Sequence, residues 1–142
     1  MPTPAEDKEA IRELFAEYAF RMDDGRYTEL GALFTDDGVW QAPYATARGP
    51  AEIAALMAAN IPAEPKRKHF VMNSLIALDG DRATARTSYL VVLQAAGQGL
   101  VPSVAGTYED VLVRTADGWR FGARRLVHDL RAELGLNLPS TR

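Results

Sequence analysis

The chain contains no cysteine. Disulfide staples, thiolate nucleophiles and Cys-based metal sites are thereby excluded. Histidine is nearly as scarce. His69 and His128 are the only two in 142 residues, so a multi-histidine metal centre is not expected and no metal or other cofactor is assigned. No stretch approaches the ~20 consecutive apolar residues of a membrane span. The run Glu6-Asp7-Lys8-Glu9 stands where a secretory leader is apolar. The expectation is a cytoplasmic protein that does not enter a membrane. An excess of positive charge is also missing: the net charge is −3, without the broad basic field that nucleic-acid binding needs.

What the chain does have is core. Hydrophobic residues make up 47% and charged residues 25%, a globular balance rather than a disordered one. The length suits one domain spanning 1–142, with a core over about 5–128 and a tail over 129–142. No internal repeat or low-complexity tract interrupts it.

Thr3-Pro4-Ala5-Glu6 has the form of a capped helix start. Behind it, Ile11, Leu14, Phe15, Tyr18, Ala19 and Met22 recur at helical spacing, and Asp24-Gly25 ends the run. A short second helix is expected to carry Tyr27, Leu30, Leu33 and Phe34. A short strand, Val39-Trp40-Gln41, follows Asp36-Asp37-Gly38. Gly49-Pro50 opens a third helix with Ile53, Leu56, Met57 and Ile61 inward, closed by Pro62 and Pro65. From Lys68 the pattern changes to strands near 68–78, 82–95, 103–114 and 119–128, with Asp79-Gly80 and Asp117-Gly118 as hairpin turns. Residues 129–142 read as a short helix through Leu134 that then frays. Helices first and a meander after is an α+β order. The expected architecture is a curved antiparallel or mixed sheet wrapped around the long first helix, a cone-shaped α+β barrel with a blind pocket between helix and sheet.

Two side chains stand out chemically. Asp23 falls on the edge of the apolar stripe, four residues after Ala19. It reads either as a turn residue at a helix end or as an acid aimed toward the core. His69 opens the first long strand. Alternation puts His69, Val71, Asn73 and Leu75 on one face and Phe70, Met72, Ser74 and Ile76 on the other. His69 reads either as a structural histidine beside a solvated basic run, Lys66-Arg67-Lys68, or as a base. A carboxylate that orients a histidine makes a general base without metal or nucleophile. Asn73, Tyr18, Tyr44, Tyr89 and Tyr108 are candidate partners for a substrate oxygen. Trp40 and Trp119 read as core, with Trp40 also placed among the pocket-lining residues. His128 is expected at an exposed strand end. Gly97-x-Gly99 lacks the strand–turn–helix context of a phosphate loop.

Several stretches together carry a family resemblance. Ala10-Ile11-Arg12-Glu13-Leu14-Phe15 through Met22-Asp23, then Leu33-Phe34-Thr35-Asp36-Asp37-Gly38-Val39-Trp40, resemble the opening of SnoaL-like proteins of the nuclear-transport-factor-2-like superfamily. Lys68-His69-Phe70-Val71-Met72-Asn73 is similar to that family's His-x-x-x-Asn strand. Gly106-Thr107-Tyr108-Glu109-Asp110 and Asp117-Gly118-Trp119-Arg120-Phe121 are similar to its last hairpin. The resemblance covers about residues 5–128 and extends to the hexachlorocyclohexane dehydrochlorinases and scytalone dehydratases. It implies that Asp23 and His69 form an Asp–His dyad, with Asn73 in the position of the family asparagine. Tyr18 stands in place of the dehydrochlorinase helix lysine, and Val127 in place of its arginine.

The reading that follows is a cofactor-independent acid–base enzyme, a dehydratase, isomerase or other lyase. It would act on a small apolar molecule, cyclic ones included. The rival is a non-catalytic binding module or assembly subunit of the same fold, such as a ring-hydroxylating dioxygenase small subunit. Apolar residues on both faces of the strands near 68–78 and 82–95 predict a homodimer joined through its sheet faces.

Overall fold

Thr3 closes the N-terminus of the first helix as its chemistry suggests. Its hydroxyl accepts from the Glu6 main-chain N–H, and its own N–H donates to the Glu6 carboxylate. The computed structural model describes residues 1–132, apart from the side chain of Ala95. Helix α1 runs Pro4–Asp23 and buries Ile11, Leu14, Phe15, Tyr18, Ala19 and Met22 along one stripe. Helix α2 is a single turn, Tyr27–Gly31.

Leu33 and Phe34 were expected in that second helix and are not there. The Phe121 main-chain N–H donates to the Leu33 carbonyl, which draws the chain out of the helix. Phe34 then opens strand β1, Phe34–Ala42, with its ring 5.0 Å from that of Phe121. Gly31 also lies against the Pro50 carbonyl, too close to admit a Cβ, so the turn is clamped where it ends. A short strand β2, Ala45–Arg48, pairs back on β1. Its four residues are too few to show a period, and sequence patterning missed it.

Helix α3 spans Gly49–Asn60. Four long strands follow: β3 Arg67–Asp79, β4 Arg82–Ala95, β5 Gly99–Thr115 and β6 Gly118–Arg131. The last two are longer than patterning indicated. Residues 129–131 continue β6 rather than begin a helix, and 133–142 lie outside the described residues.

The six strands form one sheet in the order β2-β1-β6-β5-β4-β3. Only the β1–β6 pair is parallel. The sheet is curved but not closed, with β2 and β3 as free edges, so the cone is not a complete barrel. Helix α1 packs across its concave face, where Phe15, Tyr18, Phe34, Tyr108 and Phe121 form one aromatic cluster. Each such buried ring contributes about 1.5–3 kcal/mol, which makes this cluster the main anchor between helix and sheet. Among the described residues, no helix is long and apolar enough to cross a membrane.

One irregularity matters for the site. The β3–β4 register shifts between Val71 and Ser74. Up to Val71 the odd positions face inward; beyond the shift, Ser74, Ile76 and Leu78 do. A bulge of this kind re-aims every side chain after it.

Candidate active site at the mouth of the cone

Asp23 is the last residue of α1, and His69 is the third residue of β3. They are 46 residues apart in the chain and touch in the fold. Asp23 Oδ1 lies 2.5 Å from His69 Nδ1. The His69 main-chain N–H donates to the same carboxylate, 2.9 Å from Oδ2. Both side chains are nearly withdrawn from water, 7% exposed for Asp23 and 10% for His69. A carboxylate on Nδ1 sets the tautomer: Nδ1 carries the proton, and Nε2 is left as the free acceptor. A base oriented in this way can take a proton and hand it back.

Beside the dyad opens a cleft of about 430 Å³. Asp23, Asp24, Tyr27 and Arg67 form its polar side, with Met22, Ile61, Pro62 and Ala63 supplying apolar wall. Arg67 was expected in a solvated basic run. It is instead partly buried on the inward face of β3, two residues before His69. Burial pulls its pKa down, while Tyr27, Asp23 and Tyr44 act in the opposite direction. Alternation outward from His69 was the signal that could have placed it.

Asn73 does not share the face of His69. The bulge turns it outward, where it is exposed in a shallow groove on the convex face with Leu75, Arg86, Ser88 and Thr107. Strict alternation counted through residues 72 and 73 put it inside. The same bulge moves Leu75 outward and Ser74 inward, where Ser74 meets the Thr87 hydroxyl at 2.9 Å.

The aromatic candidates divide. Tyr18 is fully buried, and its hydroxyl accepts from Trp40 Nε1 at 2.8 Å. Tyr108 is also buried and stacks on Tyr89 with ring centres 4.1 Å apart. The Tyr44 ring stands 6.1 Å from both Trp40 and His128. Burial raises the phenol pKa of Tyr18, Tyr44, Tyr89 and Tyr108, that of Tyr44 to about 12. All four therefore stay protonated at neutral pH.

His128 is not at an exposed end. Because β6 continues to Arg131, His128 lies within the strand, on the inward face with Arg124 and Leu126. Burial lowers its pKa, Arg131 lowers it further, and Asp129 opposes both. His128 Nδ1 and the Tyr89 hydroxyl are buried without a hydrogen-bond partner among the described residues. The two residues are separated on the sheet only by Gly106, whose missing side chain makes room for the Tyr89 ring.

Sequence reading also missed a buried ion pair. Arg124 Nε and Nη2 donate to the two oxygens of Asp110, each at 2.8 Å, and both side chains are fully buried. The Arg124 guanidinium lies over the Tyr108 ring at 3.8 Å. Burial opposes its charge, but Asp110 together with Tyr108 and Tyr18 raises its pKa on balance. Asp110 follows Tyr108 by two residues in β5, and strand alternation was the signal that could have placed it inward with a cation opposite.

A profile of the SnoaL-like domain matches residues 3–125, and the chain belongs to that family. The uncharacterized protein Rv2910c of Mycobacterium tuberculosis is 27% identical over 117 residues, covering 80% of each chain. An NTF2-like protein with a cystatin-like fold from Novosphingobium aromaticivorans superposes with a TM-score of 0.83 at 30% identity, covering 91% of this chain and 86% of the other. A structure assigned as the beta subunit of an aromatic-ring-hydroxylating dioxygenase, from the same organism, has a TM-score of 0.78 at 22% identity, covering 92% and 94%. The last is a likeness of fold alone.

Proposed function

We propose that this SnoaL-like protein is a cofactor-independent acid–base enzyme, a dehydratase, isomerase or other lyase, acting on a small and mainly apolar molecule. The observation that carries the reading is the contact of Asp23 with His69 at the rim of a cleft. His69 Nε2 takes a proton from a substrate carbon or from water. The imidazolium that forms stays paired with the Asp23 carboxylate. A positioned base of this kind contributes about 10²–10⁴ in rate. Tyr44 and Tyr89 are the phenols best suited to hold a substrate oxygen, since the hydroxyl of Tyr18 is already engaged by Trp40.

Proton abstraction can be tested before the substrate is identified. A panel of small cyclic ketones, alcohols and acids is incubated with the protein in D₂O, and loss of C–H signal is followed by proton NMR. Exchange that disappears in His69→Ala supports the proposal, and exchange that survives that substitution overturns it. The second reading, an assembly subunit, draws on the fold likeness to a dioxygenase beta subunit. It predicts no exchange and a stable complex with a larger chain.

We also propose that two copies pair through their convex sheet faces. Phe70, Met72 and Leu75 stand out from β3 on that face, with Leu75 75% exposed. Isolated exposed apolar residues are ordinary, but a contiguous group on one strand marks an interaction surface.

A further inference from the structure

Arg67 and His69 sit on the same face of β3, so their Cα atoms are about 7 Å apart. The groups that favour the charge on Arg67 are Tyr27, Asp23 and Tyr44. Asp23 is the only acid among them, and its two oxygens are held by the ring and main chain of His69. Arg67 makes no ion pair among the described residues, whereas the half-buried Arg21 and Arg114 and the fully buried Arg124 are each matched to a carboxylate, and the half-buried Arg120 donates to the Trp119 carbonyl. A guanidinium drawn partly out of water with no counter-charge carries a desolvation cost that a bound anion offsets.

The cleft next to it has the size of a small-ligand site, within the usual range of about 300–1,000 Å³. Its composition is lopsided. Met22, Ile61, Pro62 and Ala63 give an apolar wall, while Arg67, with Lys66 nearer the rim, gives the positive charge. Asp24 and Asp23, the latter engaged by His69, add negative charge at the same cleft, which disfavours a dianion more than a monoanion. A planar guanidinium matches the two oxygens of a carboxylate in a forked pair.

We propose that this cleft binds a small apolar carboxylic acid, with its carboxylate on Arg67 and its hydrocarbon body against Met22, Ile61 and Pro62. The inference names a substrate class for the acid–base reaction and, as far as turnover is concerned, rests on that reading. Asp23, which orients His69, lines the same cleft, so an acid anchored on Arg67 lies beside the dyad. Arg67 is then a specificity-determining residue, and neutral molecules of the same shape bind weakly.

The test is a binding comparison of benzoate with benzamide, its neutral isostere, followed by amide and arginine side-chain NMR on the full chain. Benzoate is expected to bind at least tenfold more tightly, with shifts at Gly25, Ala63 and the Arg67 Nε–H. Arg67→Gln should bring benzoate down to the level of benzamide, Arg67→Lys should keep part of the preference, and Lys66→Gln should keep most of it. The paired Lys and Gln variants guard against a substitution that merely unfolds the edge strand, which circular dichroism would reveal. Equal binding of the two probes, binding of neither, or a preference that survives Arg67→Gln overturns the inference. His69→Ala separates the two proposals. A benzoate preference retained there, with no member of the panel showing proton exchange in the wild-type protein, supports this site and removes the enzyme reading. Exchange of neutral molecules without any anion preference removes this site alone.

Discussion

His69 is held by Asp23 at two points, through Nδ1 of its ring and through its main-chain N–H. One carboxylate thus ties the end of α1 to the start of β3 and also sets the imidazole tautomer. Structure and chemistry can be separated at this site by substitution. Asp23→Asn keeps one acceptor oxygen for the main-chain N–H but loses the carboxylate that fixes the imidazole tautomer. Turnover, once a substrate is in hand, should fall by about 10²–10⁴, while the urea midpoint moves little. Asp23→Ala should in addition lose about 1–3 kcal/mol of stability, because it strands buried donors of His69. Equal losses of stability in both variants would count against the tautomer argument.

Asp110 and Arg124 are the stability-critical charges. With both side chains fully buried, Asp110→Asn leaves a guanidinium without a counter-charge in the core. The expected cost is about 3–5 kcal/mol, read as a drop in urea midpoint at unchanged slope. Replacing Glu109, whose partner Arg125 is on the exposed side of the same strand pair, should cost under about 1 kcal/mol.

Asp7 makes part of the stability acid-sensitive. Arg114 donates to both its carboxylate oxygens, and Trp119 Nε1 donates to one of them. The Arg114 hydrogen bonds are the largest influence on its pKa; burial opposes them and Trp119 assists, so the net shift is downward. A carboxyl with a lowered folded pKa stabilises the protein above its unfolded value of about 3.9 and loses that contribution as pH falls through the folded value. Asp7→Asn should therefore flatten the acid limb of a stability profile below about pH 4. An unaltered limb would mean that the contact does not titrate with folding.

Tyr89→Phe removes a buried hydroxyl that has no partner among the described residues. The variant should be as stable as the parent or up to about 1 kcal/mol more stable. If the hydroxyl serves a substrate oxygen, the same variant should raise KM or lower kcat, a gain in stability at the expense of function. Gly106→Ala tests the neighbouring fit. Its Cβ meets the Val127 carbonyl and the Tyr89 ring, and overpacking of that kind typically costs about 1–3 kcal/mol.

The proposed dimer has a direct check. Light scattering at micromolar concentration should return about twice the chain mass of 15.5 kDa. Met72→Lys with Leu75→Lys should return the single-chain mass, because two lysines on a packed apolar face leave unpaired charge in it. A wild-type protein that is already monomeric would remove the proposal.

The sequence alone determined whatever depends on local pattern and composition. The capped start at Thr3, the apolar stripe from Ile11 to Met22, the glycine turns at Gly80 and Gly118 and the order of helices before strands are all short-range signals. They are enough to assign an α+β fold with α1 against a sheet. By local reading Asp23 remained a turn residue or an acid; family resemblance suggested its partner, and packing of α1 on β3 brought the two together. Other features depended on tertiary context alone. The bulge after Val71 answers to pairing with β4, and it sent Asn73 outward against the alternation of its own strand. The extension of β6 to Arg131 answers to pairing with β5, and it turned His128 inward. Arg67 read as one of three solvated cations because charge is visible in a sequence, whereas the loss of water around it is not. Desolvation is a property of the assembled surroundings, and only the fold decides which charges undergo it.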